Sequence, residues 1–191
     1  MSQNFLYKSS FHEHLIHIDR ELADICAKKG CCYCDGKLHK CDYPRSPMGM
    51  PLEFRGQYSQ RISFCCVNCR KRATPPSVRF FGRCWYPAPL FIFISIMICG
   101  INKRRITLIK KHFGIVVCES TWRRWRKWWR NEFIVTKFWQ SEKGRFAPTA
   151  AITQKPFPRA IFNLYMGNIE QKMLLFLRFL KPLTINIFRA I

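Results

Sequence analysis

The fold is decided by residues 101–133, which read INKRRITLIKKHFGIVVCESTWRRWRKWWRNEF. The first half places three apolar residues at helical spacing: Ile106, Ile109 and Phe113. Gly114 follows, and glycine readily adopts the left-handed conformation that ends a helix and begins a turn. Ser120 and Thr121 are suitable residues to cap a second helix. This stretch therefore predicts two helices joined by a tight turn.

The second helix is predicted to have one aromatic side and one basic side. Its aromatic residues recur at helical spacing: Trp122, Trp125, Trp129 and Phe133. Its basic residues lie mainly off that stripe: Arg123, Arg124, Arg126, Lys127 and Arg130. The recognition helix of a helix-turn-helix needs this arrangement, because the rings anchor it to a core while the cations face a polyanion. We expect these five residues to bind DNA, with three more on phosphates: Lys103, Arg104 and Arg105.

Two other interpretations of this stretch stay open. One is a buried aromatic helix with an ordinary solvated charged face, and the other is a helix lying on a membrane surface. An ordinary charged face mixes signs, whereas the only acidic residues here are Glu119 and Glu132. The pattern therefore favours DNA binding.

The whole chain is strongly basic. Its 191 residues include 33 Lys and Arg against 11 Asp and Glu, which gives a formal net charge of +22. Self-repulsion on this scale destabilises a compact state unless an anionic partner screens it. Nucleic acid is the natural partner, and an anionic membrane is a weaker second. Hydrophobic residues make up 48% of the chain, which excludes a disordered basic arm.

The 11 cysteines favour metal binding over disulfides. A secreted disulfide protein can have this composition. However, the N-terminal sequence has neither the uninterrupted apolar core nor the small-residue cleavage site of a signal peptide. Closely spaced cysteine pairs in a non-secreted chain indicate a metal site instead. We expect a cytoplasmic, nucleoid-associated protein.

Two Cys-x-x-Cys motifs predict the metal site: Cys31 with Cys34, and Cys66 with Cys69. Each motif forms a tight turn that directs two thiolates at one tetrahedral centre, so the two together predict a four-thiolate zinc ribbon. A structural zinc ion contributes on the order of 10–16 kcal/mol to folding such a module. Competing interpretations are unbound structural cysteines and a redox dithiol. The choice of ligands is open, because other candidates lie close by: Cys32, His39, Cys41 and Cys65.

Taken together, the sequence predicts an α+β fold that is mainly α. Residues 1–29 form a helical segment in which His12, His14 and His17 lie on a surface helix without an assigned role. Residues 30–83 form the zinc ribbon and a basic arm. The arm, residues 70–83, either follows a phosphate backbone or is a plain solvated linker.

The second half is predicted to be helical. Residues 84–140 form the helix-turn-helix domain, including the apolar run 90–101. That run is too short to span a membrane, and we predict that it is a buried helix packed behind the helix-turn-helix. Residues 141–191 contain a linker and a C-terminal helix at 168–180. The irregular stretch 137–158 is expected to be part of that linker.

Several motifs resemble a known family. CCYCDGKLHKCDYPR at residues 31–45 and RISFCCVNCRKRATPPSVRFFGR at residues 61–83 are similar to the zinc-knuckle motif of small bacterial mobile-element proteins, described as transposase-like or insertion-sequence-associated. The likeness extends through residues 121–129 and 177–184. It implies a zinc ribbon joined to a helix-turn-helix in a mobile-DNA context. This chain departs from the family in the short gap between Cys66 and Cys69, and in Cys118, where an acidic cap is expected.

Catalysis is not expected. A transposase of the common type holds two metal ions with three carboxylates, but the acidic residues here are scattered and no βαβ pattern supports them. We expect binding to double-stranded DNA without catalysis, alongside another transposition protein and without a small-molecule substrate. The alternatives are a catalytic transposase subunit, a zinc-stapled protein-interaction module and an inactive mobile-element remnant.

Overall fold

Six α-helices dominate the described part of the chain. The structure, a computed structural model, describes residues 4–81, 86–97, 107, 110–111, 116–146 and 158–185. It is mainly helical with a small antiparallel sheet, as the sequence predicted. The helices are α1 (Ser9–Lys29), α2 (Ala88–Met97), α3 (Glu119–Lys127), α4 (Lys137–Glu142), α5 (Arg159–Leu164) and α6 (Ile169–Leu180). A π-helical turn, Trp128–Glu132, continues α3, and short 3₁₀ segments lie at Asn4–Tyr7, Leu52–Tyr58, Phe133–Val135, Lys143–Phe146 and Lys181–Thr184.

The strands of the described residues all lie between Leu38 and Ala73, in the region of the two Cys-x-x-Cys motifs. They are β1 (Leu38–Lys40), β2 (Tyr43–Pro44), β3 (Gln60–Arg61), β4 (Phe64–Cys66) and β5 (Arg72–Ala73). A three-stranded antiparallel sheet has the order β1–β4–β5, and β2 pairs separately with β3. Between residues 60 and 66 the chain forms two short strands, β3 and β4, rather than one continuous strand. The break lies at the buried Ser63, whose amide N–H donates to the Asp42 carboxylate at 3.1 Å.

The aromatic stripe of α3 is buried as predicted: Trp122, Trp125, Trp129 and Phe133 are each no more than 2% exposed. At the π-helical turn the adjacent Trp128 is buried as well, so the apolar side is wider there than the predicted stripe. The helix begins at Glu119 with Cys118 as its N-cap, so the expectation that Ser120 or Thr121 caps it is wrong.

The main core is built from rings around α2. Phe91 of α2 lies with its ring centroid 4.9 Å from that of Trp125 and 6.1 Å from that of Trp129. Phe176 of α6 also stacks on Trp129, with the two ring centroids 6.4 Å apart. The described part of the apolar run, residues 90–97, is therefore a buried helix as predicted, and its last four residues lie outside the described residues. The C-terminal helix packs its apolar side on the same core, through Met173, Phe176, Leu177 and Leu180.

Two segments that were expected to be linkers are folded into the structure. Residues 77–81, in the expected basic arm, are buried, and Arg79 is only 5% exposed. Residues 137–146 are helical, and Trp139 within them is buried. The predicted first helix of the helix-turn-helix lies largely outside the described residues, as do Gly114 and the phosphate-contact candidates Lys103, Arg104 and Arg105.

The buried carboxylate of Asp19 joins α1 to the segment that follows the cysteines. Its Oδ1 accepts the amide N–H of Val78 at 2.7 Å, and its Oδ2 accepts the Ser77 hydroxyl at 2.6 Å and Arg79 Nε at 2.8 Å. The amide N–H of Ser77 in turn donates to Thr184 Oγ1 at 2.9 Å. Because a buried charge is costly unless it is paired and hydrogen-bonded, these contacts fix three distant segments relative to one another.

His12 is buried, and the expectation of a surface position is wrong for this residue. Its Nε2 lies 2.9 Å from the Leu6 carbonyl, and its Nδ1 lies 2.9 Å from the hydroxyl of the fully buried Tyr58. A carbonyl can only accept, so Nε2 carries a proton, and in the neutral imidazole Nδ1 then accepts from the Tyr58 hydroxyl. Burial lowers the pKa of His12. His14 and His17 are exposed, as expected.

We predict that His12 makes the fold acid-sensitive. Because its pKa is lower in the folded chain, the unfolded chain binds the proton first, and stability falls as the pH drops through the unfolded value of about 6.5. The free energy of unfolding is measured by denaturant titration followed by tryptophan fluorescence. Between about pH 7.5 and about pH 5.5 it should fall further in the unaltered protein than in His12→Gln. His14→Gln is the control and should behave as the unaltered protein. Equal losses in the unaltered protein and His12→Gln would contradict the prediction.

Candidate metal centre

The four cysteines are brought together by a helix end and a strand pairing. Gly30 ends α1 with a φ of +74°, and its amide N–H bonds to the Ala27 carbonyl at 3.3 Å, so Cys31 immediately follows the helix. The second motif begins at the end of β4 and turns back into β5. Since β1 pairs antiparallel with β4, with Leu38 opposite Cys66, the two motifs lie side by side.

The two motifs form turns of the same kind. In each, the residue after the second cysteine donates its amide N–H to the carbonyl of the first: Asp35 to Cys31 at 2.8 Å, and Arg70 to Cys66 at 3.2 Å. Both donors have a left-handed φ, +53° at Asp35 and +59° at Arg70. A non-glycine residue seldom adopts this conformation, and here it occurs at the equivalent position of both turns. We call these turns the first and second knuckle.

Gly36 lets the knuckles approach each other. Its carbonyl accepts the Cys31 amide N–H at 3.0 Å, as the Lys71 carbonyl does for Cys66. A Cβ at Gly36 would lie 2.7 Å from Asn68 Nδ2 and 3.0 Å from Cys66 Sγ, both on the second knuckle. Any side chain at this position would therefore push against one of the four sulfur atoms.

The sulfur positions fit a tetrahedral metal ion. The Sγ atoms of Cys31, Cys34, Cys66 and Cys69 all lie within 4.8 Å of one another. Two separations are 3.5 Å, from Cys31 to Cys69 and from Cys34 to Cys66. Four sulfurs bound tetrahedrally at about 2.3 Å would lie about 3.8 Å apart. The structure thus brings together the four cysteines that the sequence singled out, and they form a candidate metal site.

The other potential ligands lie outside this group. Cys65 Sγ is directed at the Arg70 carbonyl, 3.3 Å away, and Cys41 Sγ contacts Arg72. Cys32 and His39 are exposed. Among the described residues, which include every acidic side chain of the chain, the four cysteines are the only group of three or more potential ligands within reach of one ion.

Hydrogen bonds make the thiols unequal. The amide N–H of Cys69 lowers the pKa of Cys66 to about 6. The amide N–H of Lys71 acts to lower the pKa of Cys69, but burial and the neighbouring sulfurs raise it to about 12. Adjacent thiolates repel one another unless a cation lies between them, so metal binding here would release protons.

A small apolar cluster packs against the four-cysteine group. Two of the sulfurs belong to it, because Cys31 and Cys66 are buried beside Ala23 of α1, Leu38 of β1 and Phe64 of β4. The cluster contains five buried residues, far fewer than the main core. Modules with so few buried side chains commonly need an additional constraint, and a metal ion bound by the four cysteines would supply one.

The candidate DNA-binding residues on α3 and its π-helical continuation point mostly to solvent. Arg123, Arg124, Lys127 and Arg130 are exposed, and Arg126 is half-buried. Arg123 pairs with Glu119 at 2.8 Å, and Arg124 donates to the Thr121 hydroxyl at 3.2 Å. The thiol of the N-cap Cys118 has its pKa lowered to about 7 by hydrogen bonds with Ser120 and Thr121.

Comparison with known proteins gives no relative. No protein-family model, curated protein or solved structure matches the chain. Within the described residues, no helix combines the length and apolar character that crossing a membrane requires.

We predict that Gly36→Ala weakens metal binding by about tenfold or more, because residues that orient metal ligands typically contribute that much to affinity. The affinity is measured by competition with a chromophoric zinc chelator. Gly56→Ala is the matched control, since nothing lies within 4 Å of a Cβ at that position. Equal affinities for the two variants would show that the approach of Gly36 to Cys66 has no bearing on the metal.

Proposed function

We propose that this chain is a zinc-ribbon and helix-turn-helix protein of a mobile genetic element, and that it binds DNA without catalysis of its own. One observation carries the proposal. The helix α3 and its π-helical continuation bury tryptophans on one side and expose arginine and lysine on the other. The mobile-element context rests on the resemblance of the cysteine and tryptophan motifs.

The buried rings give the basic side a fixed position. Trp125 packs edge-on against Phe91 of α2, and the Trp122 indole N–H donates to the Val117 carbonyl at 2.7 Å. The neighbouring basic residues therefore project from a rigid helix. Phosphate oxygens are the natural partners of such cations, and contacts to phosphate fix the orientation of a protein on duplex DNA.

The balance of charge on this surface favours a polyanion. The acidic residues of residues 119–132 are Glu119 and Glu132, and Glu119 is already paired with Arg123. Lys127 and Arg130 are exposed on the same helical segment. We propose Arg123, Arg124, Arg126, Lys127 and Arg130 as the DNA contacts, with Lys103, Arg104 and Arg105 on phosphates.

Zinc is the proposed metal of the four-cysteine centre. Zinc is commonly held by four thiolates in closed structural sites, whereas a catalytic zinc keeps an open position for water or substrate. All four positions here would be filled by Cys31, Cys34, Cys66 and Cys69. The proposed role of the ion is therefore to stabilise the β1–β4–β5 sheet and the knuckles that it carries.

We predict that duplex DNA affinity falls steeply with salt and depends on α3 and its continuation. Each phosphate contact contributes about 0.9 to the slope of log affinity against log salt. The variant Arg124→Gln, Lys127→Gln, Arg130→Gln should lower that slope by about two to three, measured by fluorescence anisotropy with a labelled duplex.

The control removes three exposed positive charges elsewhere: Lys143→Gln, Arg145→Gln and Arg178→Gln. It should keep the slope of the unaltered protein. A flat salt dependence, or equal slopes for the two triple variants, would contradict DNA binding through α3.

A further inference from the structure

An exposed aromatic ring lies on the first knuckle. Tyr33, between Cys31 and Cys34, is 63% exposed. The Lys71 ammonium lies 4.1 Å from the centre of its ring, which is the distance of a cation–π contact. Lys71 belongs to the second knuckle, so this contact crosses between the two turns and holds the ring at the surface. Packing in the apolar cluster does not require Tyr33 to be there, because the cluster does not include it.

The second knuckle continues the same surface. Val67 is 46% exposed, and its amide N–H donates to the Lys37 carbonyl at 3.0 Å, which ties Lys37 to the second knuckle. Lys37, Arg70 and Lys71 are all exposed. We define the knuckle face as Tyr33, Lys37, Val67, Arg70 and Lys71.

The surroundings of the knuckle face are basic. A divalent ion with four thiolates has a formal charge of −2, and Asp35 adds one negative charge. Asp42 is paired with Lys40 at 3.3 Å. Exposed basic residues outnumber these negative charges. Besides Lys37, Arg70 and Lys71, three more precede or follow the knuckles in the chain: Lys28, Lys29 and Arg72. The charge therefore complements an anionic partner.

We propose that the knuckle face binds single-stranded nucleic acid. Tyr33 stacks on an unpaired base through the ring face opposite Lys71, and Lys37 and Arg70 contact the phosphates on either side. Surfaces that bind single strands combine cations along the backbone with aromatic rings under the bases. A duplex keeps its base faces stacked inside, so an exposed ring gains a stacking partner only where a strand is unpaired.

The composition of the knuckle face favours this partner over a protein. Tyr33 and Val67 are its only large apolar side chains, whereas a protein-docking surface has a well-packed apolar centre. This inference rests on the proposed function, because both require that the chain binds nucleic acid. It uses different residues, however, and assigns the unpaired strand to the metal module and the duplex to α3 and its continuation.

The test measures binding of the full, zinc-loaded chain to a labelled oligothymidine and to a labelled duplex. Tyr33→Ala should weaken binding to the oligothymidine by about tenfold, the usual effect of losing one stacked base. Tyr33→Phe keeps the ring and should bind as the unaltered protein does. Both variants should retain full duplex affinity. Their zinc content is measured alongside, so that loss of the metal is detected.

The proposal is overturned if Tyr33→Ala binds oligothymidine as well as Tyr33→Phe, or if it loses the same factor on the duplex. The α3 triple variant separates this result from the proposed function. It should lose duplex affinity while its binding to oligothymidine stays sensitive to Tyr33→Ala. If duplex binding does not depend on α3 but Tyr33→Ala still weakens single-strand binding, the proposed function fails and the knuckle-face proposal stands.

Discussion

The buried carboxylate of Asp19 connects segments that lie 58 to 60 positions apart in the chain. It receives three hydrogen bonds from residues 77–79, which lie directly after the cysteine module in the chain. The helix α1 leads into the first knuckle, and residues 77–79 follow the second. The Asp19 contact therefore joins the two ends of the cysteine module, and both ends also pack on the main core. The side chain of Arg79 also reaches the Gln57 carbonyl, so the connection between the two cysteine motifs is held at the same place. These contacts hold the segments on both sides of the candidate metal site in place.

The chain separates its cations into two groups. Arg61 and Arg79 are buried, where each has hydrogen-bond partners and lies over the Phe80 ring, at 5.6 Å and 5.1 Å. Most of the other described basic residues are exposed, including those of α3 and of the knuckles. Burying an unpaired charge is costly, and the positive charge of the described residues accordingly lies mainly on the surface. This surface charge is the physical basis for proposing nucleic acid as the partner.

Sequence patterns predicted the features that repeat locally. The tryptophan spacing predicted the buried side of α3, and the Cys-x-x-Cys pairs predicted which four sulfurs converge. Features that depend on distant partners could not be predicted. Residues 77–81 contain an arginine and follow two prolines, so they were expected to form an arm or linker, but Asp19 lies 60 positions before Arg79 and neutralises it. His12 was misplaced for the same reason, because Tyr58 lies 46 positions away.

Zinc coordination by the four cysteines can be measured directly. X-ray absorption at the zinc edge, on protein purified without added metal, gives the number and type of ligands. We predict one zinc ion per chain, bound by four sulfurs at about 2.3 Å, and loss of that signal when Cys31 and Cys66 are both replaced by serine. A shell containing nitrogen or oxygen, or a purified chain with no bound zinc, would contradict it.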